Sequence, residues 1–282
     1  MAARFPQSGT SVAYRIKAAY SSKVLAIYWA ASADSVHRLY SADAATTIVT
    51  RSTSGAGFDG TEGRITGTNR GAGGVYFSDS KSGGFGTTED GSLTYIASYY
   101  GDMFNGIGEP WAMGCATPVD AGLTKMGIRG NNFGWEFNRS GGAVGYYGGV
   151  AANDVADWMT VGIRHVAADP TARYRCWING AELTGVRSTS APSSNAVVGD
   201  ASNALRFGGT ALGTGNTKLE GECWIVATNL SDAEMDAITA DPSIVIEVAP
   251  APAPTITGPS GAVMTGAAGQ VTAFSAAAWR SL

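Results

Sequence analysis

Charge is scarce in this chain. Only 15% of residues are Asp, Glu, Lys or Arg, against an average of about 25%. The arginines are scattered from Arg4 to Arg280 without forming a basic run, and the formal net charge is −4. Binding through neutralised phosphates is therefore not expected, and nucleic acid is excluded as a partner. Long apolar runs are also missing. Val24 to Ala31 is the best of them and falls far short of the roughly 20 residues a membrane-spanning helix needs, so membrane insertion is excluded. The opening MAARFPQSGTS has no apolar stretch of signal-peptide length, which points to cytoplasmic synthesis without that address.

Catalytic and metal motifs are equally thin. The three cysteines, Cys115, Cys176 and Cys223, are an odd number set tens of residues apart, which suits neither a disulfide framework nor a zinc knuckle. Cys176 and Cys223 are read as small buried hydrophobes on the inward face of their strands. Of the two histidines, His37 and His165, the second falls at an inward strand position where a satisfied core histidine is expected. There is no His-Glu-x-x-His, Cys-x-x-Cys, phosphate-loop or Gly-x-Ser-x-Gly pattern. Gly55 to Gly60 matches Gly-x-Gly-x-x-Gly, but the following residues to Gly74 are Gly-rich without helical period, and the dinucleotide reading fails.

What the chain has in quantity is glycine, 39 in 282 residues, about twice the usual share. Tight turns between many strands are implied. The clearest module runs from Asp157 to Glu182. Met159, Val161, Ile163 and His165 fall on one face of its first arm, and Tyr174, Cys176 and Ile178 on one face of its second, while Arg164, Arg173, Arg175 and Asn179 face away. Asp169-Pro170 provides the turn between the arms, and Asn179-Gly180 provides the positive-φ pair of a type I′ corner. Further on, Leu230-Ser231-Asp232-Ala233-Glu234 spells a helix start. Ser231 is the N-cap, Glu234 completes a capping box, Leu230 staples onto Met235, and Asp241-Pro242 ends a helix running from about Asp232 to Thr239. Other strands are expected at Val24–Trp29, His37–Tyr40, Leu93–Tyr100, Trp111–Ala116, Lys125–Arg129, Trp135–Asn138 and Ala143–Tyr147.

Together with Leu205-Arg206-Phe207-Gly208-Gly209 and the strand from Leu219 to Val226, the module resembles the core of the laminin-G-like and concanavalin A-like jelly rolls. The resemblance covers residues 85–245 best. It implies an all-β fold, an antiparallel β-sandwich of the concanavalin A-like jelly-roll kind with one short capped helix and an extended C-terminal arm. Three regions are expected: an N-terminal arm over 1–23, the sandwich over 24–248, and an Ala/Pro linker with a docking arm over 249–282. In the last, Pro250, Pro252 and Pro254 stiffen the spacer, and Phe274 and Trp279 are apolar anchors for other subunits.

Endoglucanases with this kind of fold carry two carboxylates on one strand face, about 5 Å apart for retention. The nearest sequence here is Glu234-Met235-Asp236 on the capped helix, and Glu220 and Glu222, at i and i+2 of a strand, are read as a solvated acidic face. The expectation is that the chain is not an enzyme. Binding fits better. Asn131, Asn132, Trp135, Tyr146 and Tyr147 combine exposed-ring and amide chemistry of the kind that holds sugars, and Tyr99-Tyr100-Gly101-Asp102 is a further cluster. Calcium is used in the resembling family. Asp79, Glu89, Asp90, Asp102, Asp154 and Asp157 are available for it, although no dense oxygen-ligand loop is spelled out. No other cofactor is implied. Low charge, an isolated jelly roll and an interaction tail suit a structural or surface component of a phage or virus particle. Copies of itself, other particle proteins and a cell-surface glycan are the expected partners. The alternative is a free lectin or a glycoside hydrolase of the same fold.

Overall fold

The computed structural model describes residues 4–6, 13–32, 35–41, 47–50, 56–61, 63–67, 77–79, 92–100, 114–115, 124–129, 132–139, 142–151, 158–166, 168–169, 171, 173–184, 205–207, 221–250, 255–257 and 263–265. Its strands in chain order are β1 (Tyr14–Ile16), β2 (Val24–Ser32), β3 (Ser35–Tyr40), β4 (Thr47–Thr50), β5 (Ala56–Asp59), β6 (Arg64–Gly67), β7 (Phe77–Asp79), β8 (Ser92–Tyr100), β9 (Gly114–Cys115) and β10 (Thr124–Arg129). They continue with β11 (Asn132–Arg139), β12 (Gly142–Ala151), β13 (Trp158–Val166), β14 (Tyr174–Ile178), β15 (Ala181–Glu182), β16 (Leu205–Phe207), β17 (Gly221–Ala227), β18 (Ile246–Val248), β19 (Thr255–Thr257) and β20 (Val263–Thr265), with one α-helix, α1 (Asp232–Ala240). The fold is an antiparallel β-sandwich. Its main sheet has ten strands, β15-β14-β13-β8-β17-β2-β3-β4 with β6 and β5 joined to β17, and β7-β16-β9 and β10-β11-β12 form three-stranded sheets.

The Asp157–Glu182 module folds as its alternation dictates. Val161 pairs with Ile178, Ile163 with Cys176 and His165 with Tyr174, and all but the half-buried Ile178 are buried. Asn179 and Gly180 both take positive φ, 48° and 86°, the I′ signature that lets Ile178 pair with Ala181. At the other end the Asp169 carboxylate accepts from the Thr171 backbone N–H at 2.9 Å, an Asx turn that caps the connection.

Helix α1 begins where its cap predicts. The Ser231 hydroxyl accepts from the Glu234 N–H, and the Glu234 carboxylate accepts from the Ser231 N–H at 2.7 Å. Leu230 and Met235 are both buried beside it. The helix lies on the face of β13 and β14 opposite to Val161 and Cys176. Gly162 lets it approach, since a Cβ there would stand 2.8 Å from Met235 Cε and 2.9 Å from Thr239 Cγ2.

Two expectations are corrected at this layer. Arg164 faces away from the Val161 side, as its position requires, but α1 covers that face and Arg164 is 8% exposed. Its guanidinium donates to the Leu230 carbonyl at 2.8 Å and pairs with Asp232 at 2.6 Å. Cys176 and Cys223 do not share a face. The register Cys176–Ile163–Tyr95–Val226 places Cys176 level with Val226, three residues from Cys223, so the thiols point to opposite sides of the sheet. Both are free and buried. Cys223 and Ile225 belong to the helix side with Ile27, Trp29, Leu39, Ile96, Trp177 and Ile238. Leu219 lies outside the described residues.

Described residues of the stretch 1–23 pack on the sandwich. Phe5 and Ile16 enter the helix-side core, and β1 pairs with β18. In the C-terminal segment β19 pairs with β20, so the region after the Ala-Pro spacer contains a hairpin. Phe274 and Trp279 lie outside the described residues.

Replacing Ser231 by Ala removes one half of the capping box and is expected to lower stability by about 1 kcal/mol in denaturant unfolding. An unchanged midpoint would show that the helix does not depend on this cap.

Candidate functional site

Three polar constellations stand out among the described residues. The first joins two sheets. Asp79, at the end of β7, is 6% exposed and reaches β2 and β3. Its Oδ2 accepts from the Tyr28 hydroxyl at 2.8 Å and from the Tyr40 hydroxyl at 2.5 Å, and its Oδ1 accepts from the Arg38 guanidinium at 2.9 Å. Register explains the convergence, because Tyr28 stands opposite Arg38 and Tyr40 follows two residues on, on the same face. Arg38 also lies over the Tyr40 ring, 4.6 Å from its centroid. Burial, reinforced by the Asp79 charge, pushes the Tyr28 phenol well up, and burial and the Asp79 hydrogen bond do the same for Tyr40. A phenol held so firmly protonated is a donor rather than a nucleophile. Asp79, read from sequence as a calcium candidate, spends its oxygens on these three partners.

The second constellation lies on the helix side. Glu222, expected in a solvated acidic face, is fully buried. The register slips between Gly221 and Cys223 against β8, and this bulge turns Glu222 toward Arg4. Arg4 Nε donates to Glu222 Oε2 at 2.8 Å, and the Arg4 backbone N–H donates to Oε1 at 3.2 Å. Ser98 and Thr160 complete the group, their hydroxyls 3.1 Å apart. Burial still pushes the Glu222 carboxyl up, against the opposing pull of Arg4. Glu220 lies outside the described residues. Removing Arg4 would leave a buried charge unpaired, a loss of about 3–5 kcal/mol for such pairs.

The third sits at the start of α1. The Arg164 and Arg175 guanidiniums flank the Trp177 indole at 4.9 and 5.0 Å, Arg175 binds Glu182 and Asp232, and the hydrogen bond from Arg175 draws the Asp232 carboxyl down. His165, as expected for a core histidine, is buried and stacks on Tyr174 at 4.7 Å. These clusters hold the layers together. No group of three or more His, Cys, Asp or Glu able to hold a metal occurs among the described residues, and none of their helices is long and apolar enough to cross a membrane.

The residues singled out for sugar chemistry fall in the β10-β11-β12 sheet. Trp135 pairs directly with Tyr146 and, on its other side, with Met126. Tyr147 stands opposite Gly134, and Asn132 opposite Ala151 across a register irregularity. Glu136 and Asn138 follow Trp135 on β11, opposite Gly145 and Ala143. Asn131 lies outside the described residues, as do Glu89, Asp90, Asp102, Asp154 and Asp157. The sheet thus brings Trp135 and Tyr146 side by side and places Tyr147 and Asn132 in adjoining rows.

No family model and no curated protein matches the chain. Solved structures do. Trypanosoma rangeli sialidase in complex with sialic acid superposes with a TM-score of 0.52 at 14% identity, over 83% of this chain and 36% of that one. A second structure of Trypanosoma rangeli sialidase gives 0.51 at 15% identity, again over 83% and 36%. The Ruminococcus gnavus IT-sialidase CBM40 is a looser match, 0.40 at 17% identity, over 53% of this chain and 83% of that one. The chain spans about a third of the length of the Trypanosoma sialidases. At such identities the likeness establishes the shared β-sandwich fold.

One expectation falls with it. The chain was expected not to be an enzyme because it lacks a strand with paired carboxylates, yet structures sharing its fold are sialidases, and the exclusion no longer stands. Paired carboxylates serve one catalytic geometry only; sialidases work with a tyrosine nucleophile.

The Asp79 cluster makes an alkaline prediction. Unfolded tyrosine ionises near 10, and the phenols of the buried Tyr28 and the half-buried Tyr40 ionise above that. Their contribution to stability is complete below pH 10 and is lost as the pH rises through the folded values. The unfolding midpoint is expected to fall above pH 10, less steeply in Tyr28→Phe. A 295 nm absorbance titration in which all 11 tyrosines ionise near pH 10 in the folded protein would contradict this.

Proposed function

We propose that the chain is a glycan-binding β-sandwich whose β10-β11-β12 sheet takes the sugar. The observation that carries this reading is the register that sets Trp135 beside Tyr146, with Asn132, Glu136 and Asn138 on the same strand. A sugar ring offers an apolar face to an aromatic ring and hydroxyls to amides and carboxylates; β11 and β12 carry the aromatic pair on one face, and alternation puts Glu136 and Asn138 on the other. The described clusters on the large sheet, by contrast, pair their charges internally. The fold shared with a sialidase solved with sialic acid bound supports a glycan as the class of ligand. A place in a virus or phage particle draws no support from these likenesses, so the reading is confined to the glycan.

The test is titration of the purified chain against a panel of sialylated oligosaccharides, galactans and β-glucans, with released reducing ends assayed in the same samples. Binding is expected to weaken about tenfold or more in Trp135→Ala and Tyr146→Ala, equivalent to a loss of about 1.4 kcal/mol or more, while Ser231→Ala leaves it unchanged. Full affinity in both aromatic variants, or no affinity of the intact chain for any member, would overturn the assignment.

A further inference from the structure

The N-terminal segment occupies a recess that has the features of a binding site. Its floor is polar beside the apolar Ile96, Ile225 and Trp29 of the same face. Thr160, Ser98 and Cys223 stand in one cross-strand row of β13, β8 and β17, and the bulge adds Glu222. Ser98 and Glu222 are fully buried and Thr160 is 1% exposed. Beside them Trp29 forms an aromatic wall, with Tyr14 edge-on at 6.3 Å and His37 at 5.0 Å.

Three consecutive residues meet this surface with three different interactions. The Arg4 guanidinium binds Glu222 and donates to the Ser98 and Thr160 hydroxyls. Phe5 stacks on Trp29 with centroids 5.9 Å apart and is 3% exposed. The Pro6 carbonyl accepts from Trp29 Nε1 at 3.0 Å. The segment that fills the site is separated by 218 positions from the carboxylate it neutralises. It is joined to the sandwich through residues 7–12, a link that fully extended spans at most about 20 Å.

We propose that this recess is a receptor for an Arg-Phe-Pro segment, filled in cis by Arg4–Pro6 and able to take the same segment from a second copy of the chain. The chemistry is selective. A guanidinium matches a carboxylate flanked by hydroxyls, which an ammonium meets only as a point charge. An aromatic must follow directly, and proline pre-sets the extended backbone that offers its carbonyl. Every copy carries both donor and receptor, the arrangement that permits segment exchange between protomers. The glycan reading neither requires this site nor is touched by its failure.

The experiment keeps the whole chain. A protease site is placed within residues 7–12 and cut after folding, and the cut protein is titrated with a fluorescent peptide of residues 1–8. Saturable binding with release of the original segment is expected. A peptide with Arg4→Lys should bind several-fold more weakly, and one with Arg4→Ala at least tenfold more weakly. The cut chain carrying Glu222→Gln should lose the preference for arginine over lysine, a readout that general destabilisation would not move. In the uncut state, a Phe5→Ala chain mixed with a Glu222→Gln chain should form a 1:1 complex by light scattering while each alone stays monomeric. Absence of peptide binding by the cut, folded chain would overturn the receptor. Peptide binding without the mixed complex would overturn exchange between copies.

Discussion

The ten-stranded sheet is covered on both faces, and that constraint governs the rest of the molecule. A charge placed at its centre cannot turn to water and must meet its partner inside, because an unpaired ion in such surroundings costs several kcal/mol. Glu222 meets Arg4, Asp79 meets Arg38 and two phenols, and Arg164 meets Asp232 and the Leu230 carbonyl. These three meetings fasten, respectively, the N-terminal segment, a second sheet and the helix to one scaffold. Among the described residues, these charges stand where layers join.

Local signals made much of the fold legible in the sequence. Period-two alternation in Asp157–Glu182, the Asn179-Gly180 corner and the Ser231/Glu234 box each act over a few residues, and each is found where it was read. The same logic fails over distance. Alternation assigns Arg164 to the far side of its strand but cannot say that the helix beginning at Asp232 will cover it. Nothing near Arg4 announces a carboxylate beyond 200 positions. Glu222 did carry a signal, since a charged residue inside the apolar strand Gly221–Ala227 calls for a partner. The bulge that redirects it depends on pairing with β8.

For the candidate site the residue types were readable and their arrangement only partly so. Trp135 and Tyr146 are legible by their ring chemistry alone. Their pairing follows from the two residues, Ser140 and Gly141, left between Arg139 and Gly142 when these close the β11–β12 hairpin. The exclusion of catalysis failed for a different reason. A motif search rejects only the mechanisms whose motifs are sought, and the paired-carboxylate motif is one of several that hydrolyse glycosides.

The two buried thiols, one on each face of the same sheet, make the molecule its own reporter of layered opening. Burial pushes both well above the ordinary thiol value, so neither reacts as a thiolate until its cover lifts. Cys223 lies under the side closed by the N-terminal segment and α1, and Cys176 lies under the other. Alkylation rates at the two positions therefore separate excursions of one layer from those of its opposite, and equal rates would mean that the sandwich opens only as a whole.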